Sequence, residues 1–266
     1  ISKDKVVVVG DELVQIVEHV EASPAAFCSS NETSSPSLSL EMLQQLSAAS
    51  AATDSIPILG TSITDYATAL DMSDWSGTTG KNISGTTDLA PLDEQAKCIK
   101  ELFPDAKNIG IIYCSSEPNS IYQSTTITKY LEDEGYTVKI HLLGFNDVAA
   151  VTQSACDASD AIYIPTDNTA ASCTEAINNV ASQAKKPIFA GEEGIAKGCG
   201  VATLSISYYA LDTTTGEMAL RYPCKCTDVK TMEVKSAPKF NKEYLPDRAE
   251  GAGITVPDGY EEISAE

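Results

Sequence analysis

Short apolar runs and longer amphipathic stretches alternate from Leu92 to Ala190. Leu92 to Phe103 places Leu92, Ala96, Ile99 and Leu102 on one face and predicts a helix. Ile109 to Tyr113 is a compact apolar run of the kind that forms a strand buried on both faces. The pattern then predicts a strand over 108–114, a helix over 120–135, a strand over 137–143, a helix over 147–157, a strand over 160–164, a helix over 170–183 and a strand over 187–190. Strands and helices alternating at this spacing imply a parallel sheet with helices on both faces, an α/β fold.

The flanks are less regular. KVVVVG at 5–10 reads as a buried strand, and ELVQIVEH at 12–19 as a second strand or a short helix. Residues 21–40 are rich in Ser, Pro and Ala and read as loop, followed by a weakly amphipathic helix over 40–52. A short strand at 56–60 ends in Thr61-Ser62-Ile63-Thr64-Asp65. WSGTTGKNISG at 75–85 reads as a turn-rich connection closing on Thr86-Thr87-Asp88. Its Asn82-Ile83-Ser84 matches a glycosylation acceptor, a pattern too short to carry weight. Further on, 202–207 reads as a strand and 209–220 as a helix. The tail from Cys224 is irregular, with a strand expected at 231–234 and a short helix at 241–250.

Ligands of open parallel sheets bind beyond the carboxyl ends of the strands. There the sequence places Thr61, Ser62, Thr64 and Asp65; Ser115, Ser116, Glu117, Asn119 and Ser120; Thr166, Asp167, Asn168 and Thr169; and Glu192 with Glu193. Hydroxyls, amides and carboxylates with no Lys or Arg suit a zwitterion. Hydroxyls and helix N–H groups would hold its carboxylate, and an acid its ammonium. The alternative is that Cys114 to Ser120 is an ordinary strand-to-helix turn with N-caps.

Charge and composition narrow the field. With 38 acidic and 18 basic residues the net charge is −20, which argues against nucleic acid or an anionic membrane as partner. No run approaches the ~20 apolar residues of a membrane span. Ile1 opens the chain without Met or a signal-peptide pattern, which leaves the compartment undecided. The eight cysteines (Cys28, Cys98, Cys114, Cys156, Cys173, Cys199, Cys224 and Cys226) show no C-x-x-C pair and no nearby His, so no zinc site is expected. Cys224 and Cys226 flank one lysine; the others read as small hydrophobes. No glycine-rich phosphate loop or G-x-S-x-G elbow follows a strand, and no cofactor is expected. His141 reads as a packed strand residue, His19 as a residue that could line a cleft, and Glu192-Glu193 as adjacent acids pointing apart.

Six ordered blocks carry a resemblance: GTSITD, KNISGTTDLAPLDEQ, KNIGIIYCSSEPNS, DAIYIPTDNT, KKPIFAGEEG and SISYYALDTTTGEMA, with a weaker echo in GITVPDGYEEI. Together they resemble the ABC-transporter substrate-binding proteins of Gram-positive and related bacteria associated with tryptophan or tyrosine. The resemblance implies a type I periplasmic-binding-protein fold: two Rossmann-like lobes with parallel sheets, joined by a three-segment hinge and closing on a small molecule. It implies lobe one at 1–86 plus 204–230 and lobe two at 87–203 plus 231–266. The stretch from His19 to Ile56 is shorter than the family's usual opening, so lobe one is atypically small and the roles of Glu18 and His19 stay open.

Carried onto this chain, the resemblance implies ligand contacts at Thr64, Asp65, Thr87, Asp88, Ser115, Ser116, Asn119, Ser120, Thr166, Asp167, Asn168 and Glu192. Asp167 would take the ammonium, Ser115 and Ser116 the carboxylate, and Tyr122 or Tyr208 would stack on an aromatic ring. It further implies a monomeric, lipid-anchored protein outside the cytoplasm that serves an ABC permease. Two other classes remain: a ligand-sensing domain of a receptor or regulator on the same fold, and a small-metabolite enzyme such as a racemase. A racemase needs two opposed acid–base residues, and Cys114 has no evident counterpart in the sequence.

Overall fold

The computed structural model describes residues 5–10, 13–18, 39–221 and 228–265. These divide into two compact units, one running to Leu89 and resuming over Ser207–Lys239, the other made of Ala90–Ile206 and the residues from Phe240 on. The chain thus passes between them three times. The last boundary falls at 239/240 rather than 230/231 because residues 235–236 pair into the first unit's sheet.

The first unit is built on a five-stranded sheet. β1 (Lys5–Gly10) and β2 (Leu13–Glu18) form an antiparallel hairpin, so the second apolar run is a strand and not a helix. β1 lies parallel to β3 (Ile58–Gly60), β3 to β4 (Ile83–Thr87), and β4 to the short β10 (Lys235–Ser236). The order is β10-β4-β3-β1-β2. Helices α1 (Ser39–Ala52), α2 (Tyr66–Ala69) and α9 (Tyr208–Arg221) accompany the sheet. Leu46, Ile58, Ile63, Tyr66, Leu70 and Ile83 form the core.

β4 corrects the reading of 75–85 as mere connection. ISGTT has too little apolar content to read as a strand, yet it lies between β10 and β3 in the sheet and is buried along most of its length. Gly85 permits this. Its φ is +144°, and a Cβ there would stand 1.9 Å from the carbonyl oxygen of Gly60 on β3. Residues 231–234 are likewise not a strand: a 3-10 turn over Val229–Thr231 precedes β10.

The second unit has a seven-stranded sheet in the order β12-β11-β9-β8-β7-β5-β6. β5 (Asn108–Tyr113), β6 (Thr137–Leu142), β7 (Ala161–Ile164), β8 (Ile188–Ala190) and β9 (Ala202–Ile206) are parallel, as the alternating pattern requires. β11 (Phe240–Tyr244) runs antiparallel to β9, and β12 (Glu261–Glu262) continues beyond it. The helix expected over 241–250 therefore splits into β11 and α10 (Pro246–Ala252), with Pro246 starting the helix.

Helices α3 (Leu92–Leu102) and α4 (Pro118–Asp133) pack on one face, and α5 (Val148–Ala158), α7 (Thr174–Gln183) and α8 (Glu193–Cys199) on the other. α6 (Asn168–Ser172) ends at Cys173, so the single helix expected over 170–183 is two. Ile112, Ile162, Ile164, Ile188 and Ala190 join Val148, Ala155, Ile177, Ile195 and Ala196 in one core. The alternate residues Ile111, Tyr163 and Phe189 are buried too. Both faces are covered, which is why these strands read as continuous apolar runs. Tyr163 donates its hydroxyl to Gln95 of α3 at 2.8 Å, and Gln95 donates to the Gly191 carbonyl at 3.1 Å, so these two buried polar side chains are paired.

Candidate functional site

In the second unit the loops after β5 and β7 are tied into one structure. Asp167 is 1 % exposed; its carboxylate accepts the backbone N–H of Cys114 at 2.7 Å and, as the N-cap of α6, that of Ala170 at 2.7 Å. Burial and the nearby Glu117 charge push its carboxyl up, while these N–H groups oppose the shift. Glu117 is 3 % exposed and reaches the start of α6. It accepts the N–H and Nδ2 of Asn168, both at 2.9 Å, and the N–H and hydroxyl of Thr169 at 2.9 and 2.7 Å.

The carbonyl of Thr166 gathers a second set of donors. Asn119 Nδ2 reaches it at 2.9 Å, Gln123 Nε2 at 3.2 Å and the Ser120 hydroxyl at 3.4 Å. Thr166 N–H returns a bond to Gln123 Oε1 at 3.1 Å. Glu192 is the N-cap of α8, accepting the N–H groups of Gly194 at 2.6 Å and of Ile195. Burial raises its carboxyl as well.

These contacts sort the expected residues of this unit. Asn119, Ser120, Asp167 and Glu192 are buried and engaged in holding the loops, and burial leaves the Asp167 carboxylate almost no surface for an ammonium. Ser115 and Ser116 are exposed at the tip of the β5 loop, just ahead of α4, and Ser116 Oγ lies 3.0 Å from Cys114 Sγ. Thr166 and Asn168 are half-buried, and Tyr122 on α4 is exposed.

In the first unit the ends of β3 and β4 bring hydroxyls together. Asp65 caps α2 through Thr68 N–H at 3.1 Å. Thr64 is 4 % exposed, and its hydroxyl has no hydrogen-bond partner among the described residues. Its carbonyl accepts the Thr87 hydroxyl at 3.2 Å. Asp88 is buried, and its charge, second to burial itself, raises the Tyr66 phenol well above its ordinary value.

The sequence reading missed Asp212 and Thr215 on α9. Thr61 Oγ1 donates to Asp212 Oδ1 at 2.9 Å, Thr215 Oγ1 bonds Thr61 Oγ1 at 3.1 Å, and Thr86 Oγ1 lies 2.8 Å from Thr215 Oγ1. Ser62, held at φ +55°, gives its N–H to Thr86 Oγ1 at 3.2 Å. Their i, i+3 spacing on one helix face was a visible signal, hidden by the ordinary look of LDTTTGEMA. Tyr208 stands half-buried at the start of α9. His141 is half-buried on β6, where burial and Lys139 lower its pKa. His19, Cys28, Cys224 and Cys226 lie outside the described residues, as does nearly all of the loop read over 21–40.

No helix among the described residues is long and apolar enough to cross a membrane. Residues 43–259 match the family model described as ABC transporter substrate binding protein. A Tyrosine-binding protein of Clostridioides difficile is 34 % identical over 170 residues, 64 % of this chain and 49 % of that protein, so the match spans about half of the relative's length. Among solved structures, an ABC domain in complex with L-Trp from Streptococcus pneumonia superposes with a TM-score of 0.72 at 27 % identity, covering 83 % of this chain and 77 % of the other. A ligand-free, open substrate binding protein with adhesive properties from Clostridium difficile gives 0.71 at 29 % identity, covering 84 % and 76 %. A glucose-galactose binding protein from Geobacillus stearothermophilus, at 12 % identity and a TM-score of 0.52, shares the fold. With two α/β units of the type I periplasmic-binding-protein kind and a family match over most of its length, the chain belongs to the ABC transporter substrate-binding proteins.

Proposed function

We propose that this chain binds an aromatic amino acid and is the solute-binding component of an ABC importer. The observation that carries the reading is the match to a relative named for tyrosine and to a structure holding L-Trp, inside a family match over 43–259. The strand ends support it chemically, because they carry hydroxyls and amides without a Lys or Arg that would favour a phosphate. In this reading the exposed Ser115 and Ser116 donate to the ligand carboxylate at the start of α4, with Thr166 and Asn168 beside them. Thr64 and Thr87 of the first unit carry the same hydroxyl chemistry, and Tyr122 or Tyr208 is the partner for an aromatic ring.

The protein acts by binding and release, not by turnover. It works outside the cytoplasm as a lipid-anchored monomer and hands its ligand to a membrane permease. Titration calorimetry against the proteinogenic amino acids tests the reading. Saturable heat with L-tryptophan or L-tyrosine is expected, and silence with every amino acid would overturn it.

A further inference from the structure

The acids expected at the strand ends are occupied. Asp65, Asp167 and Glu192 cap helices, and Glu117 clamps the start of α6. Asp88 is buried near Tyr66. All three capping acids are buried, which leaves an ammonium little carboxylate surface to reach.

Asp212 is placed differently. It lies one turn into α9, which packs against β3 and β4, and Thr61 just past the end of β3 meets its Oδ1 at 2.9 Å. It is half-buried, and Thr61 is its only hydrogen-bond donor among the described residues. The Ser62 N–H enters Thr86 Oγ1, Thr86 Oγ1 and Thr215 Oγ1 share a hydrogen bond, the Thr215 hydroxyl has Thr61 Oγ1 and the Leu211 carbonyl as acceptors at 3.1 Å each, and Thr61 donates to Asp212. The Thr61 proton is the one committed to the carboxylate. Burial raises the Asp212 carboxyl, and the Thr61 hydrogen bond opposes that by favouring the anion. One carboxylate oxygen is thus oriented by a neutral hydroxyl, and no Lys or Arg among the described residues pairs its charge.

We propose that Asp212, oriented by Thr61 of the Thr86–Thr215–Thr61 hydroxyl cluster, is the anionic contact for the ammonium group of the bound amino acid. This rests on the reading under Proposed function and adds the residue that separates an amino acid from the matching carboxylic acid. An ammonium would complete the pairing of Asp212 with a charge-assisted bond.

The test compares the parent chain with Asp212→Asn by calorimetry, using L-tryptophan and L-tyrosine and their des-amino analogues indole-3-propionate and 3-(4-hydroxyphenyl)propionate. Asp212→Asn is expected to weaken the amino acid about tenfold or more and to leave the des-amino analogue within about twofold. A thermal melt of the variant confirms that it folds. Unchanged affinity for the amino acid overturns the inference alone, and so does equal loss of both ligands. A parent chain that binds no amino acid overturns the functional reading and this inference with it.

Discussion

The carboxylate of Glu117 accepts both the backbone N–H and the hydroxyl of Thr169, at 2.9 and 2.7 Å. One residue at the end of the β5 loop thus closes the N-terminus of α6, more than fifty positions later in sequence. Glu117→Ala strands the buried N–H of Thr169 and the half-buried N–H of Asn168 and should cost about 2–4 kcal/mol of stability. Urea unfolding measures this. A loss below about 0.5 kcal/mol would mean that Glu117 does not hold the loops together.

Ser116 is exposed beside α4 with its hydroxyl near Cys114, free to turn toward a ligand carboxylate. Ser116→Ala should weaken amino-acid binding by about 1–3 kcal/mol, the worth of a charge-assisted hydrogen bond, with little change in melting temperature. Equal affinities in parent and variant would return this loop to an ordinary helix cap.

Gly85 carries a strand that the apolar pattern did not announce. Gly85→Ala drives a methyl group into the Gly60 carbonyl from a φ of +144° and should destabilise the chain by at least about 3 kcal/mol. An unfolding midpoint equal to the parent's would contradict the β3–β4 approach.

Glu243 on β11 is buried opposite Thr203 on β9, and Glu243 Oε2 and Thr203 Oγ1 both lack a partner among the described residues. Burial first, then the charges of Glu193 and Glu261, raise its carboxyl from 4.5 to about 7, against the pull of Lys197 and the Asn241 hydrogen bond. Between those values the folded protein holds a proton that the unfolded chain releases. Stability from this group is full below pH 4.5 and is lost as pH rises through about 7. Glu243→Gln should flatten that slope and stabilise the protein at pH 8 by about 1–2 kcal/mol, allowing for partial solvent screening. Parallel pH profiles for parent and variant would rule Glu243 out as the cause.

The second unit was the more legible in sequence. Its strands are covered on both faces, so β5, β7 and β8 had to be apolar runs of strand length, and α3 had to show a single apolar face. β4 and β11 escaped the pattern. Each owes its place to a partner strand, β3 or β9, and not to its own side chains. At the strand ends, residue type was legible but role was not. Asp167 and Ser116 looked equally suited to a zwitterion, until geometry turned one inward onto backbone N–H groups and left the other exposed.

By itself, then, the sequence determined the α/β class, the six blocks that mark the family, and the polar chemistry gathered after β3, β5, β7 and β8. These are local properties of periodicity and composition, written along the chain. Tertiary structure alone decided which acids cap helices, which strands complete the sheets, and that Asp212 and Thr215 of α9 meet Thr61 and Thr86. Those outcomes depend on groups about 130 to 150 positions apart satisfying one another's hydrogen bonds, a condition that exists only once the chain has folded.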